Sequence, residues 1–178
     1  MNANGQMPNA KCQRIFLIGY MGSGKSSALK HLSNKISWQG LDLDKLFEER
    51  YKISVQDFFH KYDEDAFRKL ESQLLRETLN HKNVIIATGG GTPCFFDNME
   101  WMNANGTTIF LKVTPMTAVH RLMQSKKKRP LIEGKNEQEV IDFVSRHYAE
   151  RMPFYEKAQI IVKGENLDID DIIRHISL

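Results

Sequence analysis

The chain has 178 residues, 41% of them apolar, and a formal net charge of +3. That length fits one domain with a sizeable core, and so mild a basic excess argues against a nucleic-acid binder, which shows a strong basic stripe. No apolar run approaches the roughly 20 residues that cross a bilayer, so a soluble, cytoplasmic protein is expected.

Residues 1–12 are polar and lack the apolar run of a signal peptide or anchor, which predicts a disordered tail ahead of a single domain over 13–178. Cys12 and the distant Cys94 have neither metal nor redox spacing and read as free thiols. The stretch "RIFLIG", from Arg14 to Gly19, predicts a buried strand: short, apolar and closed by glycine. It runs into Gly19-Tyr20-Met21-Gly22-Ser23-Gly24-Lys25-Ser26, a full match to G-x-x-x-x-G-K-[ST], with a helix from Lys25 to Lys35 behind it. A strand before and a helix after are the context this phosphate-binding loop requires. Glycines let successive N–H groups turn inward on an anion, and the helix start adds partial positive charge. Lys25 reaches the β- and γ-phosphates, and the Ser26 hydroxyl suits Mg²⁺. The ligand this predicts is a nucleoside triphosphate, with ATP the expected one.

The segment "ISWQGL" gives a weak strand signal before "LDLD". In an extended chain Asp42 and Asp44 point the same way. Both carboxylates would then face one cleft at a strand's C-terminal end, one holding Mg²⁺ through water and the other accepting a proton from a hydroxyl. Asp44 can equally cap the helix that "KLFEERY" starts. A long helix from Asp63 to Leu79 carries Phe67, Leu70, Leu74 and Leu75 at helical spacing, with Arg68 and Glu71 at i, i+3. That pair is either a surface ion pair worth about 0.3 kcal/mol or an arginine held so that its fork takes a carboxylate at two points. A strand from Asn83 to Gly91 ends in "TGGGTP", and three glycines there suggest a ligand close to the backbone. Ala87 and Thr88 stand where many phosphate-loop proteins carry a metal-associated Asp, which leaves Asp42 as the candidate.

A strand from Thr107 to Val113 precedes a charged stretch, Gln124 to Glu137, that reads as a mobile surface flap. Its "KKKRPL" is a solvated or nucleic-acid patch, or else Arg129 swings over the transferring phosphoryl group. A helix from Glu137 to Tyr148 repeats Val140, Ile141 and Val144; Pro153 in "ERMPFY" is expected to interrupt it, and Arg151 taken alone reads as structural. A last strand runs from Gln159 to Lys163. The six histidines show no ligand spacing and are assigned no chemistry, and Trp38 and Trp101 read as packing. Strands alternating with helices imply βαβ units and a parallel sheet covered on both faces.

The ordered set GYMGSGKSS, DLD, FRKLE, GGGTP, RPL and ERMPFY resembles the shikimate kinase family, from Arg14 to about Ala158. The resemblance implies a P-loop NTPase with the nucleoside-monophosphate-kinase-like α/β fold: a five-stranded parallel sheet in the order 2-3-1-4-5, flanked by helices, with a mobile lid at about 124–136. It implies transfer of the γ-phosphoryl of ATP to the 3-hydroxyl of shikimate, giving 3-phosphoshikimate in the route to chorismate and aromatic amino acids. Gly22, Ser23, Gly24, Lys25, Ser26 and Ser27 would hold the nucleotide, with Arg121 stacked on adenine and Mg²⁺ on Ser26 and Asp42. Asp44 would hold the accepting hydroxyl, as base or as positioner. Arg68 and Arg151 would bind the carboxylate, with Glu71 orienting Arg68 and Gly89, Gly90 and Gly91 lining the pocket. Arg129 would be the lid arginine, catalytic together with Lys25 and Asp44. The implied partners are shikimate and ATP, with no nucleic acid and no membrane, on a monomer.

The chain departs from the family's pattern in Ser27, in the acidic run Asp63-Glu64-Asp65 where a glycine turn is usual, and in lacking an adenine signature after Ala158. A gluconate kinase, a nucleotide monophosphate kinase, a non-catalytic nucleotide-binding module and a nucleic-acid binder are the competing readings. The FRKLE and GGGTP pair opposes the first, and the intact Lys25, Ser26, Asp44 and Arg129 oppose the third.

Overall fold

In the computed structural model, which describes residues 14–125, 132 and 134–176, Arg14–Ile18 forms a strand, β1, whose Ile15, Phe16, Leu17 and Ile18 have no exposed surface. Such a run, apolar on both faces, belongs in the middle of a parallel sheet covered on both sides. The other strands are β2 (Gln39–Asp42), β3 (Val84–Ala87), β4 (Thr107–Lys112) and β5 (Ile160–Lys163), and the five pair in parallel in the order β2-β3-β1-β4-β5. The expected tail, Cys12 and lid residues 126–131 and 133, Arg129 among them, lie outside the described residues.

Alternation along the strands sorts the core into two layers. Phe16, Ile18, Val84, Ile86 and Phe110 face the larger one. It is closed by helices α2 (Leu43–Tyr51), α3 (Val55–Lys61), α4 (Glu64–Glu77), α5 (Asn98–Asn105), α6 (Pro115–Gln124) and α7 (Glu137–Tyr155). Ile15, Leu17, Ile85, Ala87, Ile109 and Leu111 face a smaller layer under α1 (Lys25–Ile36) and α8 (Ile169–His175). Among the described residues no helix is long and apolar enough to cross a membrane.

Several elements differ from expectation for local reasons. The weak strand signal before Asp42 belongs to β2, an edge strand with Gln39 and Gly40 exposed. Asp63 caps α4, its Oδ1 accepting from the Ala66 N–H at 2.7 Å, and Glu64 and Asp65 fill the first turn. The acidic run therefore starts a helix where charge complements the dipole. Pro153 does not interrupt α7, which continues to Tyr155. The donor it removes would have bonded to the carbonyl of Ala149, an exposed residue where water can serve instead. The sequence reading named no helix at α3, α5, α6 or α8; α3 and α8 are only seven residues long, and α5 has no apolar stripe.

The β1–β4 contact is tight at Gly106, where an added Cβ would lie 2.6 Å from the Arg14 carbonyl oxygen and 2.8 Å from Phe16 Cε2. Its φ is 179°, so the objection to a side chain is space, not backbone strain. Gly106→Ala is expected to destabilise the protein by about 2 kcal/mol, seen as a Tm several degrees lower in calorimetry. An unchanged Tm would mean that β1 and β4 separate freely at that point.

Candidate active site

Both cavities of interest open at the C-terminal ends of the strands, where an α/β sheet leaves a crevice. The first, about 640 Å³, is lined by Gly22, Ser23, Gly24, Lys25, Ser26, Ser27, Asp42, Asp44 and Arg121. Gly24 (φ 100°) sits at the N-cap of α1 and offers no capping side chain, so the first N–H groups of a 12-residue helix remain for an anion. Lys25 Nζ donates to the carbonyls of Gly19 (2.6 Å) and Tyr20 (3.0 Å), holding its ammonium over the loop. Arg121 Nη1 donates to the Gly22 and Ser23 carbonyls at 3.1 and 3.3 Å, and its Nη2 to the Gly164 carbonyl at 3.0 Å. This ties the loop to the turn after β5.

Ser26 Oγ donates to Asp42 Oδ2 at 3.0 Å, while Asp42 Oδ1 accepts from the N–H groups of Asp44 and Lys45. The helix cap is therefore Asp42, and Asp44 lies in the first turn of α2. The two carboxylates reach one cleft as the sequence reading expected, but across a strand-to-helix junction and not along an extended strand. A hydroxyl and a carboxylate side by side are hard oxygen donors of the kind Mg²⁺ takes. Among the described residues no group of three His, Cys, Asp or Glu converges on a metal site.

The second cavity, about 560 Å³, is lined by Arg68, Glu71, Arg151 and Gly89 to Gly91, and shares Met21, Asp44, Gly89 and Gly90 with the first. Arg68 and Glu71 are 8% and 2% exposed, so theirs is a buried pair and not the surface pair left open by spacing alone. Arg68 Nη1 donates to Glu71 Oε2 at 2.9 Å, and Thr92 Oγ1 donates to Glu71 Oε1 at 2.6 Å. Burial pushes the Glu71 carboxyl up from the usual range, against the pull of Arg68 and Thr92, and the nearby Asp44 charge pushes the same way. The opposite edge of Arg68, Nε and Nη2, donates to Glu64 Oε1 at 3.1 and 2.9 Å. The Phe95 ring lies 4.4 Å from the guanidinium carbon.

The three glycines line the second cavity, as expected, and two of them have a packing reason besides. A Cβ on Gly91 would lie 2.5 Å from Arg68 Nη2, and one on Gly89 would lie 2.5 Å from Glu71 Oε1. Two of them are bare so that the buried pair can lie against the backbone. Gly90 presents its carbonyl to the Tyr155 hydroxyl at 2.6 Å. Arg151, 8% exposed, comes to the same wall from α7.

All the expected site residues within the described chain line one cavity or the other; Arg129 lies outside the described residues. Sequence reasoning missed His31, Asn166, Leu167 and Ile169 on the loop side, and Gln56, Phe59, Glu64 and His147 on the other. Glu64 was discoverable from its i, i+4 spacing to Arg68. Residues 166–169 carry no motif; only their place after β5 marks them. His147 Nδ1 is 2.9 Å from the Tyr20 hydroxyl, a contact across 127 residues that no spacing reveals.

The shikimate kinase family model matches residues 21–177. A shikimate kinase of Phocaeicola vulgatus is 45% identical over 155 residues, 87% of this chain and 89% of that protein. The crystal structure of a shikimate kinase from Bacteroides thetaiotaomicron superposes with a TM-score of 0.87 at 40% identity, covering 93% of this chain and 96% of that one. One from Acinetobacter baumannii, in complex with shikimate, gives 0.80 at 27% identity, with 93% of each chain covered.

Removing Glu71 leaves the buried Arg68 with only the half-exposed Glu64 to balance its charge. Glu71→Ala is expected to cost about 3 kcal/mol in urea unfolding, whereas Glu64→Ala, from a half-exposed partner, should cost less than about 1 kcal/mol. Equal losses would contradict the division between buried and exposed partners.

Proposed function

The chain belongs to the shikimate kinase family, and on that premise we propose how its residues transfer the γ-phosphoryl of ATP to the 3-hydroxyl of shikimate. The observation that carries the reading is the shared wall: Asp44 borders both a phosphate-loop cavity and a cavity holding two buried arginines. A small polyol with one carboxylate needs arginines for its acid and a carboxylate for a hydroxyl, and this site supplies both.

Lys25, the loop amides and the start of α1 hold the triphosphate, with Lys25 exchanging its carbonyl contacts for phosphate oxygens. Arg121 and the 164–169 segment receive the base. Ser26 and Asp42 are the residues that fit Mg²⁺, which when bound would neutralise charge on the phosphates. Arg68 and Arg151 bind the substrate carboxylate. For Arg68 this means giving up Glu64 on its Nε–Nη2 edge while Glu71 keeps the other side fixed. Asp44 orients the 3-hydroxyl and takes its proton as the new P–O bond forms and the bond to the ADP oxygen breaks. A loose transition state asks mainly for position and charge stabilisation, not for a strong base. Arg129 of the RPL motif is assigned to cover the transferring group and exclude water. ATP-dependent chemistry supports a cytoplasmic setting.

ADP production from Mg-ATP should require shikimate and fail with gluconate or AMP. Turnover with another acceptor alone would overturn the acceptor assignment while leaving the loop standing. Lys25→Ala should lower kcat about a thousandfold with the fold intact. Arg68→Lys keeps the charge and loses the fork; the KM for shikimate should rise about tenfold with that for ATP unchanged. Equal changes in both constants would make Arg68 merely structural.

A further inference from the structure

One polar contact at the acceptor cavity has no part in the scheme above. The Tyr20 hydroxyl of the phosphate loop and Nδ1 of His147 on α7 are 2.9 Å apart. Tyr20 has no exposed surface, and burial pushes its pKa up, so the phenol keeps its proton. A buried hydroxyl proton needs an acceptor, and His147 Nδ1 is the one in reach among the described residues. The hydroxyl therefore donates and Nδ1 accepts, which puts the imidazole's own proton on Nε2. Burial, and after it the Arg151 guanidinium, lowers the His147 pKa against the opposing pull of Glu150 and Glu64, which favours the neutral ring that a bond accepted at Nδ1 requires. Phe143 packs against the ring with centroids 5.0 Å apart and fixes its plane. Nε2–H is left as a donor with no protein partner among the described residues. His147 precedes Arg151 by one turn on the same helix face and lines the cavity that holds Arg68.

We propose that His147 is a specificity residue of the acceptor site, donating from Nε2–H to a hydroxyl of shikimate other than the one phosphorylated. The proposal rests on the shikimate reading above. Asp44 takes the accepting hydroxyl and the arginines take the carboxylate, so the remaining hydroxyls need partners of their own. A neutral donor suits them, because it adds no charge beside the two arginines. It also discriminates, since a ligand lacking that hydroxyl leaves the donor unpaired in a closed site. Tyr20 sets the tautomer, so a side chain of the phosphate loop tunes recognition of the second substrate.

The test is steady-state kinetics of the intact enzyme and of His147→Leu and His147→Gln, with shikimate and with analogues lacking the 4- or the 5-hydroxyl. His147→Leu should raise the KM for shikimate about tenfold and leave that for ATP unchanged. His147→Gln, which keeps an N–H at similar reach, should recover most of the loss. For one of the two analogues, wild type and His147→Leu should have equal KM. An unchanged KM for shikimate, or the same loss on all three acceptors, overturns the proposal. Failure of the wild type to use shikimate at all would instead strike the functional reading. Independently of activity and of any variant, nitrogen NMR of histidine-labelled protein should show His147 as the Nε2–H tautomer; the Nδ1–H form overturns it.

Discussion

A guanidinium and a carboxylate withdrawn from water, Arg68 and Glu71, set the terms for the acceptor half of the molecule. Taking each ion out of solvent costs several kcal/mol, so neither survives there without saturating contacts. The contacts come from separate parts of the chain: Arg68 and Glu64 from α4, Thr92 from the turn after β3, and the Phe95 ring beyond it. The bare backbone at Gly89 and Gly91 follows from the same requirement, because any side chain there would occupy the space of the charged groups. Such a pair adds little net stability compared with an apolar core. What it provides is a fork held by a buried carboxylate on one side and by a half-exposed one on the other.

The nucleotide half depends on β1. Its full burial carries the chain without exposed surface to the point where the loop begins, and α1 then starts with its N–H groups unclaimed by any side chain. The loop is held from both sides. Lys25 binds its carbonyls from within, and Arg121 binds them from without and links them to the turn after β5. Tyr20 extends that frame across to α7.

The fold was legible because its strongest signals are local: a buried strand, a glycine-rich loop and periodic helices. β2 was faint because an edge strand exposes half its residues, and α5 was missed because a short helix without a stripe has no period to read. The loop side of the first cavity was legible residue by residue, since the motif encodes its own geometry, whereas the 166–169 wall opposite carries no motif and was not. The second cavity was only partly legible. The spacing of Arg68 and Glu71 is helical whether they face water or the core, and only tertiary packing decides between the two. Asp42 and Asp44 reached the expected cleft by a different backbone path, because capping placed the junction between them. His147 lay beyond reach entirely, as its partner is fixed by the meeting of α7 with the loop.

The wall common to both cavities bears on inhibition. Phosphate-loop enzymes of many kinds possess the first cavity, so a nucleotide mimic alone discriminates poorly among them. Met21, Asp44, Gly89 and Gly90 bring the second within the reach of a single small molecule. A bisubstrate compound, with an anionic chain on one side of Asp44 and a carboxylated ring on the other, gives up its translational freedom once and gains both sets of contacts. Its selectivity would come from the junction, a surface that neither natural ligand covers alone.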